Sequence, residues 1–343
     1  MNPTPTLLPS GLADVLPPLA AAEFRLVHHF LKTFMAFGYQ PVIPPLAEYA
    51  DSLLAGQGEA TSHHVFKMPD PLAPEMLALR ADMTGQVARI AGGALAAMAR
   101  PLRLCYAGYT LRTAPEALKT RRQHTQVGIE RFGDMDAPSV AEVLAISAHA
   151  LENNGVDGLT IDLHYPSVLE ALLKRYPESR HAAIRDAVRL KDHARLHALE
   201  ALDIAEMMRH AGSAAGVLQR LSASNLPEVA NAAADLAALV TALEAARVNA
   251  SLTIDLLDLS GYGYYTGVGY AMFWNKAGLE VGRGGCYATR NGEDAVGFTL
   301  YINDVLDHLP TEAAAPTRTI PHGTPAAEAA KLQAEGFVTV FGS

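Results

Sequence analysis

The chain has 343 residues, 50% of them hydrophobic and only 18% charged, which excludes a disordered polymer and allows one large core or two modest ones. Its 36 acidic side chains outnumber 27 basic ones, for a formal charge of -9, so a nucleic-acid backbone is repelled and is not the expected partner. Two cysteines, Cys105 and Cys286, exclude a disulfide framework and no histidine set has metal spacing, so we expect a cytoplasmic protein without metal or cofactor.

Met1 to Ala22 has no basic region ahead of its apolar residues, and the apolar run Val87 to Leu104 is broken by Arg89, Arg100, Pro101 and Arg103. Neither a signal peptide nor a membrane span is expected. Phe24, Val27, Phe30, Leu31 and Phe34 recur at helical spacing and predict a helix over Leu19 to Phe37, ended by Gly38. A β-prone piece, Tyr39 to Ile43, stops at Pro44 and Pro45, because proline cannot donate to a ladder. Gly56 to Pro74 reads as loop, Met76 to Arg80 as a short strand, and Gly85 toward Met98 as a helix. Strands over Leu102 to Leu111 and Gln126 to Phe132 make a hairpin with a long arginine-rich loop. Ser139 with Glu142 and Ser167 with Glu170 read as capping boxes for helices ending near Gly155 and Pro177, with a strand over Leu159 to Tyr165 between them.

Ser179 to Arg247 is rich in alanine and leucine and reads as a helical insert. From Leu252 the character turns to strands: Leu252 to Leu259, Gly267 to Trp274, Leu279 to Val281 and Ala295 to Tyr301. Thr311 to Thr319 reads as a linker, followed by a helix over Pro325 to Gln333 and a strand over Phe337 to Phe341. This order predicts an α+β fold, an antiparallel sheet flanked by helices.

Three segments could carry chemistry. In Arg80-Ala81-Asp82-Met83-Thr84, strand alternation would put Arg80, Asp82 and Thr84 on one side, as a ligand site or as a salt bridge with a helix cap. In the run from Arg121 to Glu130, Gln126 and Glu130 flank Gly128 on one strand face, either a cup for an ammonium or imidazole or a solvated face. Gly261 to Gly267 lacks the lysine of a phosphate loop and reads as a turn beside a tyrosine-lined pocket. Gly282-Arg283-Gly284-Gly285 is open between a phosphate cradle and a close approach of strands. His28-His29 and His63-His64 have no third ligand and no assigned role.

Taken together, these segments resemble the class II histidyl-tRNA synthetases and, more closely, their non-catalytic relatives, the regulatory subunits of ATP phosphoribosyltransferase, from about Pro9 to about Leu306. Pro9 to Pro17 is similar to the family opening, and Phe37 to Pro45 to motif 1, which implies a homodimer interface. Tyr106 to Gly133 resembles motif 2 and its loop, and Tyr264-Tyr265 the paired tyrosines of the histidine-specific motif. The resemblance implies a class II synthetase-like domain over 1–310 with its helical insert at about 167–250. A short extension over 311–343 stands where an anticodon-binding domain is missing. It also implies a histidine site made of Asp82, Thr84, Arg112, Arg122, Gln126, Glu130, Tyr264 and Tyr265.

The departures carry as much weight. Ser260 stands where the synthetases have their catalytic arginine, Asp304 where motif 3 has its nucleotide-clamping arginine, and Thr113-Ala114 where motif 2 has His-Glu. Loss of cations that stabilise charge on the reacting groups implies no catalytic residues. The expected protein is a histidine sensor that partners a short-form ATP phosphoribosyltransferase catalytic subunit, within a hetero-octamer, in feedback on histidine biosynthesis. A truncated ligase making an aminoacyl adenylate for a non-tRNA acceptor is the alternative, and a dimeric scaffold with an empty pocket is a third.

Overall fold

The computed structural model describes residues 7–54, 64–115, 120–222, 224–261, 263–310 and 315–342. Residues 1–6, 55–63, 116–119, 223, 262, 311–314 and 343 lie outside these, among them part of the segment expected as loop from Gly56 and of the linker expected from Thr311. The chain divides into two compact units, Met1–Asp307 and His308–Ser343.

Helix α1 (Leu19–Ala36) forms where predicted, and Gly38 takes φ +85° just beyond it, a conformation glycine adopts without steric penalty. Phe30 and Phe34 face inward as expected, but the rest of the buried stripe is Glu23 and Leu26 rather than Phe24, which is 68% exposed. Glu23 tolerates burial because Thr125 Oγ1 and Asn303 Nδ2 donate to its carboxylate, which offsets the lost hydration.

Next come β1 (Gln40–Pro41), β2 (Ala47–Tyr49), α2 (Ala50–Leu54), β3 (Lys67–Pro69), β4 (Met76–Leu79) and α3 (Thr84–Gly92). The hairpin is β5 (Leu102–Leu111) and β6 (Gln123–Phe132), followed by α4 (Ala137–Glu152) and β7 (Leu159–His164). The insert contains α5 (Ser167–Leu173), α6 (Glu178–Arg189), α7 (His193–Ala198), α8 (Leu202–Met207), a short strand β8 (Ala211–Ser213), α9 (Ala214–Leu221) and α10 (Pro227–Ala245). Strands β9 (Ala250–Asp255), β10 (Gly269–Trp274), β11 (Leu279–Ala288) and β12 (Asp294–Tyr301) and helix α11 (Ile302–Leu306) complete this unit.

The small strands pair as β2-β4-β3, and the main sheet runs β1-β5-β6-β12-β11-β10-β7-β9-β8. Its centre, β5 to β7 in that order, is antiparallel as expected, but β1 joins β5 and β9 joins β7 in parallel, so the sheet is mixed. Parallel neighbours need a long crossover, and the helical insert between β7 and β9 is one. Helix α10 buries Val229, Ala232, Ala233, Leu236, Leu239 and Leu243, the inward stripe of an amphipathic helix.

Neither capping box forms. Asp136 caps α4 by accepting the Ser139 N–H (3.0 Å), and Glu142 instead accepts from Arg103 and Tyr39. Ser167 is already helical, and Glu170 pairs with Arg185 of α6. In each case an ion pair across elements takes the glutamate that a local box would have used.

In the second unit β13 (Thr317–Pro321) runs parallel to β14 (Val338–Gly342), with α12 (Ala326–Ala334) between them. The helix and last strand agree with expectation, whereas Thr317 to Thr319, expected as linker, begin β13, where Thr317, Thr319 and the adjoining Ile320 are β-formers.

Candidate functional site

The cavity is built on one face of the central sheet. Cross-strand register places Glu130 of β6 beside Gly297 of β12 and Gly285 of β11, and in the adjoining row Gly128 beside Thr299 and Arg283. Gly297 leaves space for the Glu130 carboxylate, while Gly285 and Gly269 make room for the Tyr265 ring, whose carbons lie 2.7 and 2.9 Å from where their Cβ atoms would be. The glycines therefore serve close packing rather than a phosphate cradle. Gly128 makes room as predicted, but its neighbours are the Tyr106 phenol and the Phe298 carbonyl, so no ligand fits there.

The resulting cavity holds about 620 Å³, and its wall includes Asp82, Thr84, Glu130, Tyr264, Tyr287 and Thr299. Asp82 lies just past β4, where its Oδ1 accepts the Thr84 N–H (2.8 Å) and its Oδ2 accepts Gln126 Nε2 (2.7 Å). Helix-start and cavity roles thus coincide in one carboxylate. Gln126 is fully buried, accepts the Met83 N–H at 2.9 Å through Oε1, and stands behind Asp82 rather than on the wall.

Glu130 is 1% exposed and accepts from the hydroxyls of Tyr287 (2.8 Å) and Tyr106 (3.3 Å). Tyr106 also bonds Thr299 Oγ1 at 2.8 Å, and Gln126 Nε2 reaches the same Thr299 oxygen at 3.4 Å. Asp82, Gln126, Thr299, Tyr106, Glu130 and Tyr287 are thereby joined in one hydrogen-bonded chain, which fixes both carboxylates. Burial pushes the Glu130 carboxyl up to about 8, and the hydroxyls of Tyr287, Thr84 and Tyr106 only partly counter it. Burial likewise raises the phenols of Tyr106, Tyr264 and Tyr287, which stay protonated donors. The Tyr264 ring stacks on Tyr287 at 5.1 Å and meets Tyr265 edge-on at 5.6 Å.

Of the eight residues expected at the site, Asp82, Thr84, Arg112, Glu130, Tyr264 and Tyr265 line this cavity, and Gln126 supports it. Arg122 does not reach it: its guanidinium donates to the carbonyls of Arg112 (3.1 Å) and Ser10 (3.1 Å) and lies over Phe66. Arg80 also leaves the expected face, donating to the Pro44 and Tyr109 carbonyls, because the strand ends at Leu79 and alternation stops with it. Tyr106, Tyr287 and Thr299 were missed. Their only sequence signal is alternation with glycine along their strands, which any close-packed sheet would show.

The histidyl-tRNA synthetase family model matches residues 11–305. The ATP phosphoribosyltransferase regulatory subunit of Paramagnetospirillum magneticum is 42% identical over 342 residues, covering 98% of this chain and 90% of that one. The chain belongs to this regulatory-subunit branch of the histidyl-tRNA synthetase family. The fold agrees. An ATP phosphoribosyltransferase regulatory subunit/histidyl-tRNA synthetase from Bacillus halodurans superposes with a TM-score of 0.84 at 22% identity, covering 99% of this chain and 93% of that one. A chain of the ATP phosphoribosyl transferase (HisG:HisZ) complex from Thermotoga maritima gives 0.64 at 20% identity, over 82% and 97%.

The Ser260 hydroxyl turns to Asp258 at 2.8 Å, and the Ser260 carbonyl accepts His164 Nε2–H at 3.0 Å, which sets that imidazole's tautomer. Neither Ser260 nor Asp304 lines the cavity. Cations are nonetheless present on its wall: Arg112, whose Nη2 donates to Tyr301 Oη at 2.9 Å, with Arg185, Arg189 and Arg283. Arg112 is on the wall as expected, whereas Arg185, Arg189 and Arg283 were not among the expected site residues. Among the described residues no cluster of His, Cys, Asp or Glu could hold a metal ion, and no helix is long and apolar enough to cross a membrane.

Proposed function

We propose that this subunit binds free histidine between Asp82 and Glu130 and conveys its occupancy to a short-form ATP phosphoribosyltransferase catalytic subunit, giving feedback on histidine biosynthesis. The observation that carries the reading is the pair of carboxyl groups, Asp82 and Glu130, on the wall of one cavity with Tyr264, Tyr265 and Tyr287, the complement of a small amino acid with an ammonium and an imidazole. Asp82 takes the ammonium, Glu130 the imidazole, and the tyrosine rings close over the ring faces. Glu130, whose carboxyl burial keeps protonated up to about 8, can donate its O–H to a neutral imidazole nitrogen.

Leaving a buried hydrogen-bonding group without its partner costs roughly 1 to 3 kcal/mol, so Glu130→Ala should weaken histidine binding by about tenfold in calorimetry. Unchanged affinity would remove Glu130 from the site. The function itself is tested by mixing the purified chain with a short-form catalytic subunit: activation, then inhibition by added histidine, is expected. Histidine-dependent pyrophosphate exchange by the chain alone would favour the ligase reading instead.

The subunit pairs with a second copy through the region from Phe37 to Pro45, where Phe37 and Ile43 are exposed apolar side chains. We place that dimer within a hetero-octamer with the catalytic partner, and the chain itself contributes no catalytic residue.

A further inference from the structure

We infer that a second cavity, between the N-terminal segment, α1 and the β5–β6 hairpin, is a site for a small ligand that carries a guanidinium on an aliphatic stem, held by Glu23, Asp14 and Tyr109. It shares no wall residue with the cavity of Asp82 and Glu130, so it stands whether or not histidine binds there.

The space has the size and lining of a ligand site. Its volume of about 460 Å³ falls in the range of small-molecule pockets, roughly 300 to 1,000 Å³. Leu8, Leu12, Val15, Ala20 and Phe24 give it apolar walls that suit a hydrocarbon stem. Phe24, which α1 turns outward instead of into the core, thereby has a place to act. The stretch from Phe37 to Pro45 contributes no wall residue.

The polar groups on this wall are Asp14, Glu23, Tyr109 and Gln123, and among the described residues no lysine, arginine or histidine joins them. Glu23 is 4% exposed, and its hydrogen bonds come from two neutral donors, Thr125 Oγ1 and Asn303 Nδ2. A buried carboxylate is compensated best by a cation, so an entering positive group adds the charge pairing those donors do not supply. Asn303 is itself fixed, its Oδ1 accepting the Thr125 N–H at 2.7 Å, so the carboxylate is oriented before a ligand arrives. Neither the Asp14 carboxylate nor the Tyr109 hydroxyl has a hydrogen-bond partner among the described residues, so both are available to a ligand. Burial raises the Tyr109 phenol and the Glu23 charge adds to it, which puts that hydroxyl within electrostatic reach of the carboxylate.

These demands select a guanidinium. Thr125 occupies Glu23 Oε1 and Asn303 occupies Oε2, which leaves one lone pair on each oxygen, the pattern a planar two-donor fork fills and a point-like ammonium does not. The flat cation can also lie on the ring of Phe24 or Tyr109. A free amino acid is disfavoured, because its own carboxylate would meet Asp14 and Glu23.

The test is titration calorimetry of the full chain with butylguanidine, compared with butylamine and with arginine. Butylguanidine should bind one per chain, weaken as salt rises, and bind about fivefold or more tighter than either comparator. Asp14→Asn removes no hydrogen bond of the fold and should weaken it about fivefold, with histidine affinity within about twofold of wild type; Glu23→Gln should weaken it about tenfold or more. Should Glu23→Gln fail to fold, the exposed Asp14 variant still decides. Absence of butylguanidine binding, wild-type affinity in Asp14→Asn, or equal affinity for butylamine or arginine would overturn the proposal. Sedimentation with saturating butylguanidine separates a free ligand from an arginine side chain of a second copy. An unchanged oligomeric state supports the free ligand, and dissociation of a dimer would reassign the cavity to contact between chains.

Discussion

Glu130 concentrates the physical chemistry of the site in one side chain. A carboxyl buried among phenols holds its proton to about 8 instead of 4.5, so between those values the folded chain keeps a proton that the unfolded chain has released. By linkage, stability then falls as pH rises through that window, by up to about 1.4 kcal/mol for each pH unit. Glu130→Gln cannot ionise and should flatten the profile: urea midpoints compared at pH 5 and pH 8 should drop less for the variant than for wild type. Parallel profiles would mean that Glu130 is already ionised at pH 5. Burial is the dominant cause of the shift, with the nearby Asp82 adding to it, so neutralising Asp82 alone should leave most of the slope in place.

Among the elements, β6, β11 and β12 divide the work between side chains and their absence. Glu130, Gly297, Gly285 and Gly269 form one row across four strands, and the missing side chains are what let a carboxylate and a tyrosine ring lie on the sheet. Gly128 is a comparable case one row away. A Cβ there would come within 2.6 Å of the Phe298 carbonyl, a backbone atom that cannot swing aside. Gly128→Ala should therefore destabilise the chain by about 1 to 3 kcal/mol in urea unfolding, with loss of histidine binding following from displacement of Tyr106. The presence of glycines on these strands was legible in the sequence; which of them face Tyr265, Tyr106 or Glu130 depends on cross-strand register, which local spacing does not encode.

At the scale of the whole molecule, function depends on surfaces that face other chains. Ile43 is 92% exposed and Phe37 48%, both in the stretch proposed to pair two copies. Sedimentation should give a dimer for wild type and a monomer for the double variant Phe37→Glu, Ile43→Glu; a monomeric wild type would remove the dimer from the proposal. Coupling to the catalytic partner must be reciprocal: if histidine inhibits the complex through this subunit, assembly must change histidine affinity by the same factor. Titration of histidine into the subunit alone and into the complex measures both sides of that relation.

Local pattern alone determined the α1 helix, the β5–β6 hairpin, the helical insert and the order of the late strands, because apolar periodicity and glycine placement are properties of short windows. The resemblance in residue order brought Asp82, Glu130 and the tyrosine pair to attention, although they lie far apart in the chain. Only the tertiary structure decided the rest. It turned Arg122 and Arg80 onto backbone carbonyls, put Gln126 behind Asp82, and gave Glu142 and Glu170 to distant arginines rather than to helix caps. Long polar side chains choose partners by which elements pack together, and an insert that carries Arg185 and Arg189 to a cavity formed by the sheet leaves no trace in the sequence around either one.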